Sequence, residues 1–419
     1  MRPRPGYKVG ILSLGCPRNL VDSESILSRL CFKKGISIVD IEKADVALVN
    51  TCAFIREAKV ESIDAILDLV ALKKEGKLKK VIVYGCLTQR YKEKLARELP
   101  EVDAFVGRVS LDCQPRRFSL SPAHYAYLKI CESCVNNCSY CVIPRIKGDF
   151  VSLGPDSVLG KIKELDRAGV REVNIIGQDI SSWGLDLYKK PALSRLLRLI
   201  LKEIKNIHWL RLLYLYPTRL DDALLGLIKN EPVICKYIDL PLQHINDRIL
   251  RLMHRNTAKR EILSLLCKIR KKIPGIGLRT SLIVGFPSET DKEFRELLDF
   301  IKEARFERLG AFIYSREEGT AAYTFPGQVP EKIKRERLDE LMRLQQQISC
   351  DINAGFKGKT MEVLIDEKEK DHYLARSRFD APEVDGIVYV RSKKDLRPGD
   401  FVPVKITDTL EYDLVGETR

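Results

Sequence analysis

Nothing limits what this chain can fold into more than three cysteines within eight residues, Cys134-Val135-Asn136-Asn137-Cys138-Ser139-Tyr140-Cys141. Three thiolates at a C-x3-C-x2-C spacing can hold three irons of a 4Fe–4S cubane and leave the fourth iron without a protein ligand. An open metal position is where a small molecule can bind and react. The rest of the chain has to be built around that loop.

Upstream, three runs rich in Val, Ile and Leu read as buried parallel strands: Lys8–Leu14, Asp45–Asn50 and Lys80–Tyr84. Helical periodicity lies between and after them, over Ser23–Lys34 with Asp22 as a cap, Glu57–Lys74 and Gln89–Leu99. A short apolar run, Val102–Val106, follows. This alternation predicts a doubly wound α/β domain over residues 1–118. Each strand runs into a cysteine: Cys16, Cys52 and Cys86. Ligands of open parallel sheets sit beyond the carboxyl ends of the strands, so the three thiols are expected to converge as a second cubane site. Gly15 and Gly85 would let the backbone pass close to a bulky group. Zinc favours four closely paired ligands, which these wide spacings do not supply. Cys31 and Cys113 have no such placement.

Residues 119–352 repeat strand and helix six times, with strands over Tyr125–Ile130, Glu172–Ile176, Leu210–Leu215, Lys236–Leu240, Gly277–Val284 and Leu309–Tyr314. Six units predict a partial βα barrel, smaller than the eight-fold form. The cysteine loop follows the first strand, at the carboxyl mouth where such barrels carry their active sites. Other strand ends supply candidates: Gln178 and Asp179, Tyr214 and Tyr216, Gln243 and His244, and Gly285-Phe286-Pro287. Cys131 forms a C-x2-C with Cys134, half of a zinc or redox pattern. It is left out of the trio, because a fourth thiolate would close the iron that chemistry needs. Cys235, Cys267 and Cys350 read as core.

From about residue 353 the pattern changes to period two, with Met361, Val363 and Ile365, then Phe401, Val404 and Ile406, punctuated by Pro and Gly. A small antiparallel β-barrel over 353–419 is expected. Its twelve Lys and Arg against fourteen Asp and Glu give it −2, so the rest of the chain carries +16 of the total +14. A basic body suits a polyanionic partner. Arg376, Arg378 and Arg391 would form whatever basic patch the tail has. No apolar run is long enough to span a bilayer, and Met1–Pro5 opens no signal peptide, so the cytoplasm is expected. Twelve cysteines in so long a chain would make a poor disulfide scaffold, and metal binding or catalysis is the better expectation.

The order of cysteine-bearing α/β domain, C-x3-C-x2-C barrel and terminal β-barrel resembles the methylthiotransferase family of radical S-adenosylmethionine (SAM) enzymes, over essentially the whole chain. Three segments are similar to its branch acting on a ribosomal protein: Gly15–Glu24, Cys141–Asp149 and Arg376–Gly386. Arg18, Lys147 and Leu153 depart from that branch's usual residues. The resemblance implies that Cys134, Cys138 and Cys141 bind the radical-SAM 4Fe–4S cluster, and Cys16, Cys52 and Cys86 an auxiliary one. It implies SAM as cofactor and as methyl source. A 5′-deoxyadenosyl radical would attack the β-carbon of an aspartate on the small-subunit ribosomal protein S-twelve, and the auxiliary cluster would deliver the sulfur. Within that picture Tyr140, Gln178 and Gln243 are expected near SAM, with Val284 and Phe286 as the shelf for adenine. A TRAM-like fold is implied for the tail, and an unnamed electron donor is needed. Nothing demands more than a monomer. Two other readings compete: the same chemistry on a tRNA adenosine, and a zinc-stabilised RNA-binding protein without catalysis.

Overall fold

The computed structural model describes residues 6–107 and 118–418. Met1–Pro5 and Cys113 lie outside them. The first region is a parallel sheet of β1 (Tyr7–Ser13), β2 (Ile36–Ile38), β3 (Val46–Thr51), β4 (Lys80–Gly85) and β5 (Ala104–Val106), in the order β2-β1-β3-β4-β5. That order is doubly wound, with its switch point between β1 and β3. Ser13 pairs with Asn50, Asn50 with Tyr84 and Thr51 with Gly85, so the three central strands end level with one another.

Helices α1 (Pro17–Leu30), α2 (Arg56–Lys74) and α3 (Cys86–Glu98) follow those strands. Two of them start earlier than periodicity predicts. Cys16 is the N-cap of α1, because Pro17 has the φ that a first helical residue needs and lacks the N–H that would go unpaired. Asp22 is therefore not a cap. It sits buried inside the helix, where Lys129 takes up its charge. α3 begins at Cys86 itself, after Gly85 turns the chain at φ +100°.

The second region is an open arc of six parallel strands. After β6 (Tyr125–Lys129), a two-residue hairpin of β7 (Cys131–Glu132) and β8 (Val151–Ser152) brackets the cysteine loop, which contains the short α4 (Ile143–Lys147). Then come β9 (Glu172–Ile176), β10 (Trp209–Leu212), β11 (Tyr237–Asp239), β12 (Gly277–Val284) and β13 (Arg308–Ile313). Hydrogen bonds from Cys235 N to Leu210 O and from Leu215 N to Asp239 O join the β6-β9-β10 half to the β11-β12-β13 half. One face of every strand packs against the outer helices in the main apolar core. The lumen face is polar: Tyr127, Asn174, Arg211, Asp239 and Arg279 alternate with the core positions.

The last region is a closed barrel of β14 (Thr360–Lys368), β15 (Tyr373–Ser377), β16 (Val388–Arg391), β17 (Phe401–Thr409) and β18 (Leu414–Thr418). It is not wholly antiparallel as predicted. β16 and β18 run parallel, because β18 hairpins back from β17 and closes the ring on the far side of β16. The segment after β15 closes the amino-terminal mouth of the six-stranded arc. Arg211 donates to the Arg378 carbonyl at 2.8 Å, Tyr237 to Asp385 at 2.6 Å, and Arg308 to Asp380 at 2.9 Å. Arg376 is buried on Glu172 and Asp366, at 2.6 and 2.7 Å, so it belongs to this floor and not to a nucleic-acid patch. Among the described residues no helix is long and apolar enough to cross a membrane.

Candidate metal centre and active site

The level strand ends bring Cys16, Cys52 and Cys86 out along one edge of the first sheet. Asn19 ties the loops together, donating to Leu14 O at 2.9 Å and Thr51 O at 3.3 Å while its own carbonyl accepts from Asn50 at 2.7 Å. Ser62 of α2 holds Cys52 from both sides, accepting from its amide and donating to its carbonyl. A Cβ on Gly15 would stand 2.8 Å from the Cys52 Cβ, so the backbone passes the thiol with no space to spare. Burial, against the pull of Lys147, pushes the Cys86 thiol up to about 12, and Cys16 and Cys52 contribute to the rise, which places the three within each other's field. Burial also pushes Cys16 up, but the Arg18 guanidinium, 3.3 Å away, and the helix amides outweigh it, and the net shift is downward.

The second trio lies on the loop between β7 and β8. Asn136 folds over Cys134, its side chain donating to Sγ at 3.2 Å. Arg219 pins Asn136 at 3.0 Å and Asp179 at 2.8 Å, and Asp179 in turn accepts from Ser181 and Ser182. Arg255 stands over the Tyr216 ring, its Cζ 4.2 Å from the centroid, and reaches Cys138 at 3.8 Å. Burial pushes Cys141 up to about 12, with Cys138 and Cys134 adding to the effect. Buried thiols this hard to ionise become ligands when a cation displaces the proton.

Among the described residues no three His, Cys, Asp or Glu side chains converge tightly enough to grip a lone ion. A cubane carries each thiolate on a separate iron and so spreads its ligands. The donors present, three soft sulfurs in each place with an arginine beside each trio, fit such a cluster.

Arg18 stands between the two trios. It donates through Nε to Cys16 and through Nη1 to Gly177 O at 2.9 Å, at the end of β9, and it covers the Tyr214 ring at 4.5 Å. Its charge also acts on Cys52 and Cys141. A buried quartet lies alongside: Lys129 and Lys147 face Asp22 and Glu132, joining α1 to the loop that carries the second trio. Sequence reasoning missed both features. A cation two residues after Cys16 in a first helical turn was the available signal for Arg18. Arg219 and Arg255 are too distant in sequence from the loop to announce themselves.

The expected SAM residues divide. Gln178 leaves its Oε1 buried and without a hydrogen-bond partner. Gln243 adopts φ +74° while its backbone bridges to Leu282 of β12. Tyr140 packs against the cluster that holds Phe286 and Tyr314, as does Ile283. Val284 does not join them: it is fully buried against the outer helices, and the neighbour on the lumen side is Ile283. His244 is buried between Glu289 and the Asn246 amide, a structural position. Cys131 lies in the outer core, its thiol donating to Asp179 O at 3.7 Å. Cys235 is buried, Cys350 half-buried, and Cys267 exposed on its helix, so the last is not core.

Three family models match the chain in succession: Uncharacterized protein family UPF0004 over 8–107, the Radical SAM superfamily over 128–301 and the TRAM domain over 358–418. Relatives named ribosomal protein uS12 methylthiotransferase RimO include those of Geobacter sulfurreducens, 46% identical over 98% of both chains, and Caldanaerobacter subterraneus, 47% identical over 98% of this chain and 99% of that one. The Clostridioides difficile protein of the same name is 45% identical over 98% of each. Among solved structures, the fold resembles the radical SAM methyltransferase TsrM of Kitasatospora setae, with TM-score 0.53 and 13% identity over 76% of this chain and 77% of that one. The cobalamin-dependent radical enzyme OxsB gives 0.51 at 12%, covering 81% of this chain and 56% of the other.

Proposed function

The chain belongs to the uS12 methylthiotransferase family of radical SAM enzymes, and from that membership we infer that it places a methylthio group on the β-carbon of an aspartate in the small-subunit ribosomal protein S-twelve. The observation that carries this reading is near-half identity over the whole length to relatives of that name. The tRNA-modifying alternative and the zinc alternative draw no comparable support.

In this reading Cys134, Cys138 and Cys141 hold the radical-SAM cluster, and Cys16, Cys52 and Cys86 the auxiliary one. The clusters and SAM, when bound, supply a radical able to take hydrogen from an unactivated carbon, together with the sulfur and methyl group that replace it. The chain's own residues prepare the place. Arg219 and Asp179 fix Asn136 over Cys134, and Arg255 braces Cys138 against Tyr216. Gln178 and Gln243 offer polar ends to the amino acid and ribose of SAM, while Tyr140 and Phe286 offer adenine an apolar face. Water is kept out by clamping the first region to the barrel: Glu317 takes Lys59 and Arg90 at 2.7 Å each, and Arg90 also reaches Glu318 O.

The three regions divide near residues 118 and 352. The enzyme works in the cytoplasm as a monomer, meets its target on the ribosome or an assembly intermediate, and takes electrons from a separate donor. Anaerobically purified protein should be brown and carry about eight irons, four per cubane. Expression in a strain lacking the ribosomal modification should restore the methylthio mass on S-twelve. A methylthio group found on tRNA adenosine instead would overturn the reading.

A further inference from the structure

Arg18 is a half-buried cation with no carboxylate beside it among the described residues. Four other arginines of the barrel interior meet one: Arg211 takes Glu172, Arg279 takes Asp239, Arg308 takes Asp380 and Arg376 takes Glu172, whereas Arg255 sits on Cys138, the Pro241 carbonyl and the Tyr216 ring. Arg18 instead spends Nε on a thiol and Nη1 on a carbonyl, and its Nη2 makes no hydrogen bond to any described residue. The Tyr214 ring beneath it comes from a residue held at φ +65° at the end of β10, its amide tied to Asp239 at 3.0 Å. A tyrosine in that backbone conformation is strained, and such strain concentrates at ligand clamps.

The lumen wall below has unused polar groups as well. Tyr127 and Asn174 are register partners on β6 and β9, both buried, and neither the phenol oxygen nor either end of the carboxamide has a partner. Asn174 lies three residues before Gly177, whose carbonyl Arg18 holds. Tyr127 shares an apolar cluster with Tyr214 and with Leu20 and Val21 of α1. A guanidinium whose Nη2 no described residue engages, over the unpaired polar atoms of Tyr127 and Asn174, describes a place for a polar, negatively charged group.

We propose that Arg18, held over the Tyr214 ring, binds the carboxylate of the target aspartate and so determines the enzyme's choice of side chain. This rests on the ribosomal-protein reading above. The β-carbon of aspartate is one bond from its carboxylate, so any pose that brings that carbon between the two thiol trios brings the anion to Arg18. Desolvating the carboxylate there is costly unless a cation meets it, and guanidinium suits carboxylate by geometry as well as charge. Asparagine has the same shape without the charge, and adenine presents no anion at all.

The test compares target protein carrying Asp or Asn at the modified position, using anaerobically reconstituted enzyme. Two quantities are read: Kd by fluorescence anisotropy of a labelled target-loop peptide, and KM against kcat. Wild type should favour Asp roughly 10- to 100-fold in Kd and KM, the range of a charged hydrogen bond. Arg18→Gln should shrink that preference to within about threefold, and Arg18→Lys should keep most of it. Equal affinity of wild type for the two peptides overturns the proposal, and this comparison needs no variant to fold or hold iron. A preference unchanged in Arg18→Gln overturns it too. Absence of any methylthio group on the Asp target sinks the ribosomal-protein reading instead, so the two failures are told apart.

Discussion

At Gly15 the backbone has no room for a methyl group. Its φ of +86° disfavours any L side chain by about 1–2 kcal/mol, and the added Cβ would press on Cys52 at 2.8 Å from Cβ and 3.1 Å from Sγ. Gly15→Ala is therefore expected to spoil the auxiliary site while leaving the loop of Cys134, Cys138 and Cys141 intact. Iron per chain should fall from about eight toward about four, and SAM cleavage should outlast sulfur insertion. Full iron in that variant would separate Gly15 from the cluster site. Residues of this kind were legible in the sequence because a thiol at a strand end and a glycine before it carry their meaning locally. Arg18 was not, since its partners Gly177 and Tyr214 come from the far side of the barrel and only folding brings them together.

The elements show the same division. Long periodic segments gave strands and helices close to their observed places, but the details that set side-chain direction did not follow. Val284 faces the helices and Ile283 the lumen, and a strand's period of two makes that a one-residue error with opposite consequences. Helix Asp291–Ala304 illustrates a local device with a measurable effect. Thr290 caps it and accepts from the Glu293 amide, while Glu293 reaches back to the Thr290 amide and pairs with Arg248 at 2.6 Å. Burial pushes the Glu293 carboxyl up, but Arg248 and Thr290 pull it down further, to about 2. Since an unfolded glutamate titrates near 4.3, the ionised form contributes stability above that pH. The contribution is lost as pH falls from about 4.3 toward 2. Denaturant titrations at pH 7 and pH 3 should show a larger acid loss for wild type than for Glu293→Gln, and equal losses would deny the cap this role. Thr290→Ala should cost about 1 kcal/mol at pH 7.

For the molecule as a whole, the question is what keeps one thiol trio facing the other. The buried clamp through Glu317 secures one flank. The quartet of Lys129, Lys147, Asp22 and Glu132 lies inside, with Lys129 and Glu132 at 2.6 Å and Lys147 and Glu132 at 3.1 Å. Two cations and two anions cancel, so the interior tolerates them as a set. Burial pushes Glu132 up, but the two lysines hold its carboxyl down at about 2, as expected of an anion kept ionised by its neighbours. Asp22 is the one member contributed by the first region; the other three come from the barrel and its loop. Removing it leaves an excess positive charge among largely buried side chains, a loss of about 3–5 kcal/mol. Asp22→Asn is expected to lower the unfolding free energy of the metal-free protein by that order, measured by urea denaturation. Replacing Lys129 as well, with Met, restores neutrality and should recover part of the loss. The double variant would then be less destabilised than the sum of the singles by about 1–3 kcal/mol, within the range found for residues in one network. Additive losses would mean that α1 and the barrel are not coupled through this quartet, and the apposition of the two trios would have to rest on the Glu317 clamp and the stacking of Arg18 on Tyr214.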